Sequence, residues 1–151
     1  MEVRAYRPED STGVKGLILS ILEKEYPFDK SAYKDTDINN ITGTYSGGGN
    51  AFFVIEKDEK IVGTVGVKKE TRDTALLRRL FVDESHRKKG YGMMLLKEAV
   101  EFCRSKNYNE VIFRATDRMH QAMKLIKKAN FEEKEDLEVS GFHIHKFSLK
   151  L

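Results

Sequence analysis

The feature that most constrains this chain is a glycine-rich corner between an apolar strand and an amphipathic helix. The segment reads LLRRLFVDESHRKKGYGMMLLKEAVEF, and the corner has the pattern R-x-x-G-x-G from Arg87 to Gly92. Glycines at such a corner let backbone amides face outward without a Cβ in the way. The first turn of the following helix adds unpaired N–H groups and the positive end of the helix dipole. The corner therefore predicts an anion site that suits a phosphate group.

Several kinds of phosphate-binding protein share glycine-rich corners, and spacing excludes two of them. A dinucleotide-binding fold requires G-x-G-x-x-G, but Leu95 stands where the third glycine should be. A Walker-type loop requires G-K-[ST] at the end of a longer loop, and the sequence has none. An ordinary helix start beside a solvated basic run is the alternative to a binding site.

Behind a strand that ends at Leu80-Phe81-Val82, this corner resembles the pyrophosphate-binding signature Q/R-x-x-G-x-G/A of the GNAT superfamily, the acyl-CoA-dependent N-acyltransferases. The strand before it, the helix after it and a later segment ending in Phe131 follow the order of that family. The resemblance implies the GNAT fold, an α/β (α+β) architecture with a central mixed sheet flanked by helices on both faces. Periodicity alone would predict only α+β or α/β.

The length and composition of the chain indicate a single globular domain. A chain of 151 residues with 40% hydrophobic residues can bury a core, so we expect one domain over residues 1–151. With 27 basic and 24 acidic residues, the formal charge of +3 argues against a dedicated nucleic-acid binder. The basic residues are clustered, which favours local anion sites.

The single cysteine and the N-terminal sequence indicate the cellular compartment that we expect for the protein. Cys103 has no partner for an internal disulfide, which agrees with a reducing compartment, and its helical spacing predicts a buried apolar residue. The N-terminus does not resemble a signal peptide, and no apolar run approaches the ~18 residues that span a bilayer. We expect a cytoplasmic protein with no membrane partner.

Hydrophobic periodicity and turn residues predict the remaining elements. The predicted strands run from Val3 to Tyr6, Ala51 to Glu56, Lys60 to Lys68, Ala75 to Val82 and Glu110 to Ala115, with a final pair after Phe131. Predicted helices begin after Pro8-Glu9-Asp10-Ser11 and after the glycine corner, and a short one covers Asp37 to Ile41 and another Met119 to Ala129. The run from Gly47 to Asn50 is a flexible connection that either has no role or lines a substrate site.

The family resemblance implies acetyl-CoA as the cosubstrate. The pantetheine arm would pair with the edge of the strand ending at Leu80, Phe81 and Val82, as an added strand does. The backbone amides of Arg87 to Gly92 would hold the pyrophosphate, and a side chain at Gly90 or Gly92 would collide with its oxygens. The expected cofactor-binding residues are Leu80, Phe81, Val82, Arg87, Lys88, Lys89, Gly90, Tyr91 and Gly92.

The reaction implied is direct attack of a primary amine on the thioester in a ternary complex, which moves an acetyl group to a small molecule. Proximity would supply much of the rate, and a strand N–H near Phe81 or Val82 would polarise the carbonyl. The alternative is a domain that binds acyl-CoA without catalysis, as a sensor or an interaction partner. A monomer and a homodimer are both consistent with the sequence.

The segment after the fifth strand departs from the family pattern N-x-x-A-x-x-L-Y-x-x-x-G-F. Ile126 stands at the position of the tyrosine that commonly protonates the leaving thiolate, and Met119 stands at that of the asparagine. Asn130 replaces the glycine, and asparagine can adopt the same left-handed conformation. The thiolate would leave unprotonated, or another group would replace the tyrosine. The neighbouring candidates are His120, Tyr91 and Tyr108.

Four residues are candidates for the general base: His143, His145, Glu25 and Glu70. The two histidines share one strand face, so they either line the cleft or lie half-buried at a sheet edge. Their H-x-H spacing also occurs in metal sites, but the sequence offers no third ligand, so we predict no metal.

Two adjacent arginines bear on the acceptor. Arg78 and Arg79 should point to opposite faces of one strand, so that one of them faces the cleft. A guanidinium there could bind a carboxylate through two hydrogen bonds, which favours an amino acid or a close derivative as the acceptor. The alternative is that one of them faces solvent or pairs with Asp73 or Asp83.

Overall fold

The structure is a computed structural model that describes residues 2–27 and 37–151. In these two ranges the strands are β1 (Val3–Ala5), β2 (Ala51–Lys57), β3 (Lys60–Lys69), β4 (Thr74–Val82), β5 (Glu110–Thr116), β6 (Glu132–Val139) and β7 (Phe142–Lys150). The helices are α1 (Ser11–Glu25), α2 (Ile41–Thr44), α3 (Tyr91–Ser105) and α4 (His120–Lys128), and Pro8–Asp10 and Glu84–His86 form 3₁₀ turns. The predicted strands and long helices are confirmed to within a few residues.

The seven strands form one mixed sheet in the order β1-β2-β3-β4-β5-β7-β6. Neighbouring strands are antiparallel except β4 and β5, which are parallel. A parallel pair needs a long crossover connection, and the glycine corner with α3 supplies it. The predicted mixed sheet with packed helices is confirmed.

The parallel pair β4–β5 is short, and this opens the middle of the sheet. Its register contains three pairs, Thr74↔Glu110, Ala75↔Val111 and Leu76↔Ile112. Further along, β4 has a bulge against β3, and Arg79 takes a left-handed φ of 55° there. A bulge bends and twists its strand, so the two strands part beyond Leu76.

The core lies against the sheet and is built from the apolar stripes that the sequence predicts. On α3, Leu95, Leu96, Ala99 and Cys103 are at most 1% exposed. Burial raises the pKa of the Cys103 thiol to about 12, because a thiolate is poorly solvated there. Cys103 is therefore a core residue, as predicted.

The short helix predicted from Asp37 to Ile41 differs from the structure. Residues 37–39 form a turn rather than a helix, and the short helix α2 begins later because the Asn40 side chain accepts a hydrogen bond from Gly43 N at its start. The earlier part of that polar stretch, residues 29–36, lies outside the described residues.

The loop from Gly47 to Asn50 is tied to the body of the protein. The Asn50 side chain donates to Ser46 O and accepts from Lys69 N, and the Tyr108 hydroxyl donates to Gly49 O at 2.7 Å. This loop lines neither of the cavities at the β4–β5 opening.

None of the helices in the two described ranges has the length and apolar character needed to span a bilayer.

Candidate active site

Two cavities meet where β4 and β5 part. The first has a volume of about 260 Å³ and lies on the side of the glycine corner. The second, of about 400 Å³, lies between the diverging strands and the β6–β7 hairpin. Leu80, Phe81 and Met119 line both cavities. A ligand in one cavity can therefore come close to a ligand in the other.

The glycine corner forms one end of the first cavity. Gly90 has a φ of 83° and Lys88 a φ of 62°, both left-handed. A Cβ added at Gly90 would meet no atom within 4 Å, so the space beside it is open. The first intrahelical hydrogen bond of α3 runs from Met94 N to Gly90 O, 3.1 Å. The amides at the start of α3, before Met94, are therefore available at this end of the cavity.

Gly92 lies close to helix α4. A Cβ at Gly92 would lie 2.7 Å from Cδ2 of Leu125 on α4. The expected collision of a side chain here with phosphate oxygens stays a prediction, and the contact with Leu125 is a second constraint on this position. This glycine lets α3 and α4 approach each other, and that approach shapes the cavity.

The Arg87 side chain positions the corner. Its two terminal nitrogens each donate to a carboxylate oxygen of Glu25 at 2.7 Å, and its Nε donates to Val82 O at 3.0 Å. The hydrogen bond to Glu25 raises the pKa of Arg87. These bonds join the end of α1 to the end of β4. Glu25, one of the four candidate bases, is thus engaged in an ion pair and lines neither cavity.

Eight of the nine predicted cofactor-binding residues line the first cavity: Leu80, Phe81, Val82, Arg87, Lys88, Gly90, Tyr91 and Gly92. Lys89 is exposed and is not among the lining residues. The lining residues that sequence reasoning missed are Ile21, Tyr26, His86, Met93, Gln121, Ala122, Leu125 and Lys128. Of these, Lys128 belonged to a basic cluster visible in the sequence, whereas α1 reaches the cavity only through tertiary packing.

The second cavity is mainly apolar. Its lining comprises Leu76, Leu77, Leu80, Phe81, Phe113, Ala115, Met119, Leu137, Val139 and Ile144, together with Arg78, Arg79, Arg114 and Thr116. Leu137 and Val139 on β6 are 42% and 50% exposed, unusually high values for aliphatic side chains. The cavity thus offers an apolar wall with arginines along one side.

The two adjacent arginines do not diverge as predicted. Arg79 donates to both carboxylate oxygens of Asp37, at 2.6 and 2.9 Å, and an Arg78 terminal nitrogen lies 3.8 Å from the same carboxylate. The bulge at Arg79 breaks the alternation of side chains that the prediction assumed. The alternative partners, Asp73 and Asp83, were also wrong for Arg79, because its ion pair is with Asp37.

Asp37 accepts a third strong hydrogen bond, from the Tyr45 hydroxyl at 2.7 Å. Burial alone would raise the pKa of Asp37, but the hydrogen bonds and charge of Arg79 hold this pKa below its ordinary value. The same pair leaves the Arg79 charge compensated. Arg78, whose side chain is 30% exposed, is the less engaged of the two.

The remaining candidate bases also lie outside both cavities. His143 and His145 flank Ile144 on β7, and since Ile144 lines the second cavity, the histidines point to the other side of the strand. Hydrogen bonds to Glu133 and Asp117 raise the pKa of His145. Glu70 pairs with Arg114 at 3.2 Å. Among residues 2–27 and 37–151, no Asp, Glu or His lines the second cavity.

Ile126, at the family's tyrosine position, is fully buried and lines neither cavity. Asn130 has the left-handed φ of 72° that was predicted for it. Of the three suggested substitutes for the tyrosine, Tyr91 lines the first cavity, whereas His120 does not and Tyr108 donates to Gly49 O.

Comparison with known proteins identifies the same family that the sequence motif resembles. The model of the acetyltransferase (GNAT) family matches residues 17–131. Human N-acetyltransferase 8 is 35% identical over 104 residues, which cover 65% of this chain and 46% of the relative. This chain thus aligns with about half the length of that relative.

Solved structures share the fold. A GNAT acetyltransferase from Staphylococcus aureus Mu50 superposes with a TM-score of 0.84 at 22% identity, and 99% of each chain is covered. A Salmonella typhimurium protein solved with its cofactor acetyl-CoA has a TM-score of 0.81 at 15% identity, covering 99% of this chain and 93% of that one. At these identities the likeness is one of fold.

Proposed function

The chain belongs to the acetyltransferase (GNAT) family, and from that premise we propose that it transfers an acetyl group from acetyl-CoA to a primary amine of a small molecule. The observation that carries the proposal is the junction of the two cavities at Leu80 and Phe81. One cavity has the features of a cofactor site and the other those of an acceptor site. A sensor that only binds acyl-CoA would not require the second.

The residues of the first cavity fit coenzyme A in charge and shape. Apolar side chains such as Tyr26, Phe81 and Leu125 suit the pantetheine arm, and Lys88 and Lys128 suit its phosphates. The start of α3 supplies amides and a positive dipole end for the pyrophosphate. When bound there, the cofactor supplies the activated acetyl group.

The β4 backbone suits an extended ligand arm. In the described part of the chain, β4 pairs with β5 only through Thr74, Ala75 and Leu76. The edge that faces β5 beyond Leu76 therefore offers backbone N–H and C=O groups to a ligand, in the manner of an added strand. An N–H on this edge near Phe81 could stabilise the negative charge that forms on the thioester oxygen.

The chain contributes mainly by holding the two reactants together. An amine in the second cavity would approach the thioester at the junction, so that the attack gains the advantage of an intramolecular reaction. Because the residues that line the second cavity in the described ranges include no acidic or histidine side chain, we propose that the ammonium loses its proton to water. Tyr26 and Tyr91 are the phenols among the described residues that line the first cavity, and we propose Tyr91, at the start of α3, as the donor to the departing thiolate.

The lining of the second cavity favours an acceptor with an apolar part and a carboxylate. The aliphatic wall of Leu137, Val139 and Ile144 suits an apolar side group. Arg78 is the guanidinium available to a carboxylate, because Arg79 is already paired with Asp37. These groups support an amino acid or a close derivative over a polyamine, whose charge Arg78 would repel.

The test is release of free CoA from acetyl-CoA with three acceptor sets: free amino acids of increasing apolar character, spermidine, and a lysine-rich peptide. We expect the highest kcat/KM for an apolar amino acid. Arg78→Gln should raise KM for it, whereas Arg104→Gln, on the exposed face of α3, should not. Acetyl-CoA binding without CoA release for any amine would favour the sensor. Preference for spermidine or the peptide would refute the acceptor class.

A further inference from the structure

A group of titratable side chains lies on the side of β7 away from the second cavity, which we call the acceptor cavity because we propose that it binds the acceptor amine. His143 and His145 on β7 face Asp117, in the connection between β5 and α4. Glu133 and Asp136 on the neighbouring strand β6 contact the same imidazoles. The sequence showed only H-x-H, because its third partner comes from a distant connection.

One nitrogen of each imidazole points to the same carboxylate. His143 Nδ1 lies 3.0 Å from Asp117 Oδ2, and His145 Nε2 lies 2.5 Å from Asp117 Oδ1. The ring centroids are 4.7 Å apart. One ligand atom from each of these three residues falls within 4.8 Å of the other two. Two imidazole nitrogens thus converge on one carboxylate, each on a different oxygen.

The other nitrogen of each imidazole faces a carboxylate from β6. His145 Nδ1 lies 2.7 Å from Glu133 Oε2, and His143 Nε2 contacts Asp136 Oδ1. In metal sites, a ligating histidine commonly donates its second ring N–H to a carboxylate, which fixes the ring and makes the ligand more basic. Both histidines have this arrangement.

The charge of the cluster suits a cation. Three carboxylates surround two imidazoles, so the group carries a formal charge of about −3 when both rings are neutral. The side chain of His145 is 16% exposed, whereas that of Asp117 is 56% exposed. The cluster is therefore anchored on one side and open to solvent for entry of an ion on the other.

We propose that Asp117, His143 and His145 bind one divalent transition-metal ion, with zinc as the best match. Two imidazoles and a carboxylate are an established ligand set for this ion, with water in the fourth position. Bonds of about 2.0–2.2 Å in a tetrahedral arrangement hold ligand atoms roughly 3.3 Å apart. The three ligand atoms lie within 4.8 Å of one another, so they would need to approach each other by at most about 1.5 Å.

This site would join two walls of the acceptor cavity. Asp117 follows Thr116 and precedes Met119, which both line that cavity. Ile144, between the two histidines, lines it as well, on the same hairpin as Leu137 and Val139. A bound ion would fix the β6–β7 hairpin to the end of β5. The role we assign to the metal is thus to hold the acceptor side in shape, separately from the acetyl transfer.

The test is calorimetric titration of the chelator-treated protein with zinc chloride. We expect one equivalent to bind and the melting temperature to rise, because the ion binds the native state. His143→Gln and His145→Gln should abolish this binding. His120→Gln is the matched control, since His120 lies outside the cluster, and it should bind as the wild type does. Glu133→Gln should keep one equivalent with affinity lower by roughly 10- to 100-fold.

Two further readouts keep the test independent of folding and of acetyl transfer. The thermal shift produced by acetyl-CoA should persist in each variant, which shows that the fold is intact. Cobalt chloride should give the visible absorption bands of a tetrahedral site in the wild type and none in the His143→Gln His145→Gln double variant. Absence of a one-equivalent zinc site in the wild type, or equal loss in His120→Gln, would overturn the proposal.

Discussion

Asp37 and Arg79 lie 42 positions apart and form a two-point ion pair almost entirely out of solvent, with side chains 1% and 4% exposed. Removing one partner of such a pair leaves an uncompensated buried charge. We expect Asp37→Ala to lower the free energy of unfolding by about 3–5 kcal/mol, as measured by urea denaturation.

The control for this prediction is an exposed ion pair. Glu101 and Arg104 lie 2.9 Å apart on α3 with side chains 70% and 50% exposed. Glu101→Ala should change the free energy of unfolding by at most about 1 kcal/mol. Equal losses in the free energy of unfolding for the two substitutions would show that the buried pair stabilises the protein no more than an exposed pair does.

The same pair predicts a loss of stability in acid. The pKa of Asp37 is lower in the folded protein than its ordinary value, despite the opposing effect of burial, because Arg79 stabilises the carboxylate. Its contribution is therefore complete above the unfolded pKa of about 3.9 and is lost as pH falls through the folded value. Urea denaturation of the wild type and Asp37→Asn should show their stability difference shrinking below about pH 4. A difference that grows in acid would contradict the sign.

Charge at the glycine corner should control cofactor binding. Asparagine and aspartate both tolerate the left-handed conformation of Gly90 and have nearly the same size. Gly90→Asp should abolish the thermal shift produced by acetyl-CoA, because its carboxylate would repel the pyrophosphate. Gly90→Asn should retain most of that shift. If acetyl-CoA produced equal thermal shifts in the two variants, its phosphates would not bind at this corner.

Glu25 should affect cofactor affinity rather than chemistry. Its carboxylate holds Arg87 through two hydrogen bonds of 2.7 Å. Glu25→Gln weakens that contact, so we expect the Kd for acetyl-CoA to rise by roughly 2- to 5-fold, the size of one partly exposed ionic contact. The kcat at saturating substrates should change little. A large fall in kcat with an unchanged Kd would instead identify Glu25 as the general base.

Ile126 should contribute to stability only. Since it is fully buried, Ile126→Val should lower the free energy of unfolding by about 0.5–1.5 kcal/mol through the lost methyl group. The kcat should remain that of the wild type, because the residue lines neither cavity. A fall in kcat of tenfold or more in a stable Ile126→Val protein would show that this part of α4 acts on the reaction.

The sequence determined the features that depend on neighbouring residues. The spacing of Leu95, Leu96 and Ala99 defined the buried face of α3, and the glycines after Arg87 defined the turn between β4 and α3. Both rest on local geometry: helix periodicity fixes which side chains share a face, and φ preferences fix where a chain can turn. The left-handed Asn130 was predictable for the same reason.

The tertiary structure decided everything that joins distant segments. The bulge at Arg79 reversed the expected direction of a side chain, and it arises from the register of β3 against β4 rather than from residue type. The partners Asp37 for Arg79, Glu25 for Arg87 and Asp117 for the histidines lie between 26 and 62 positions away. No local pattern encodes such pairings, because they are set by packing and sheet register, which depend on the whole chain at once.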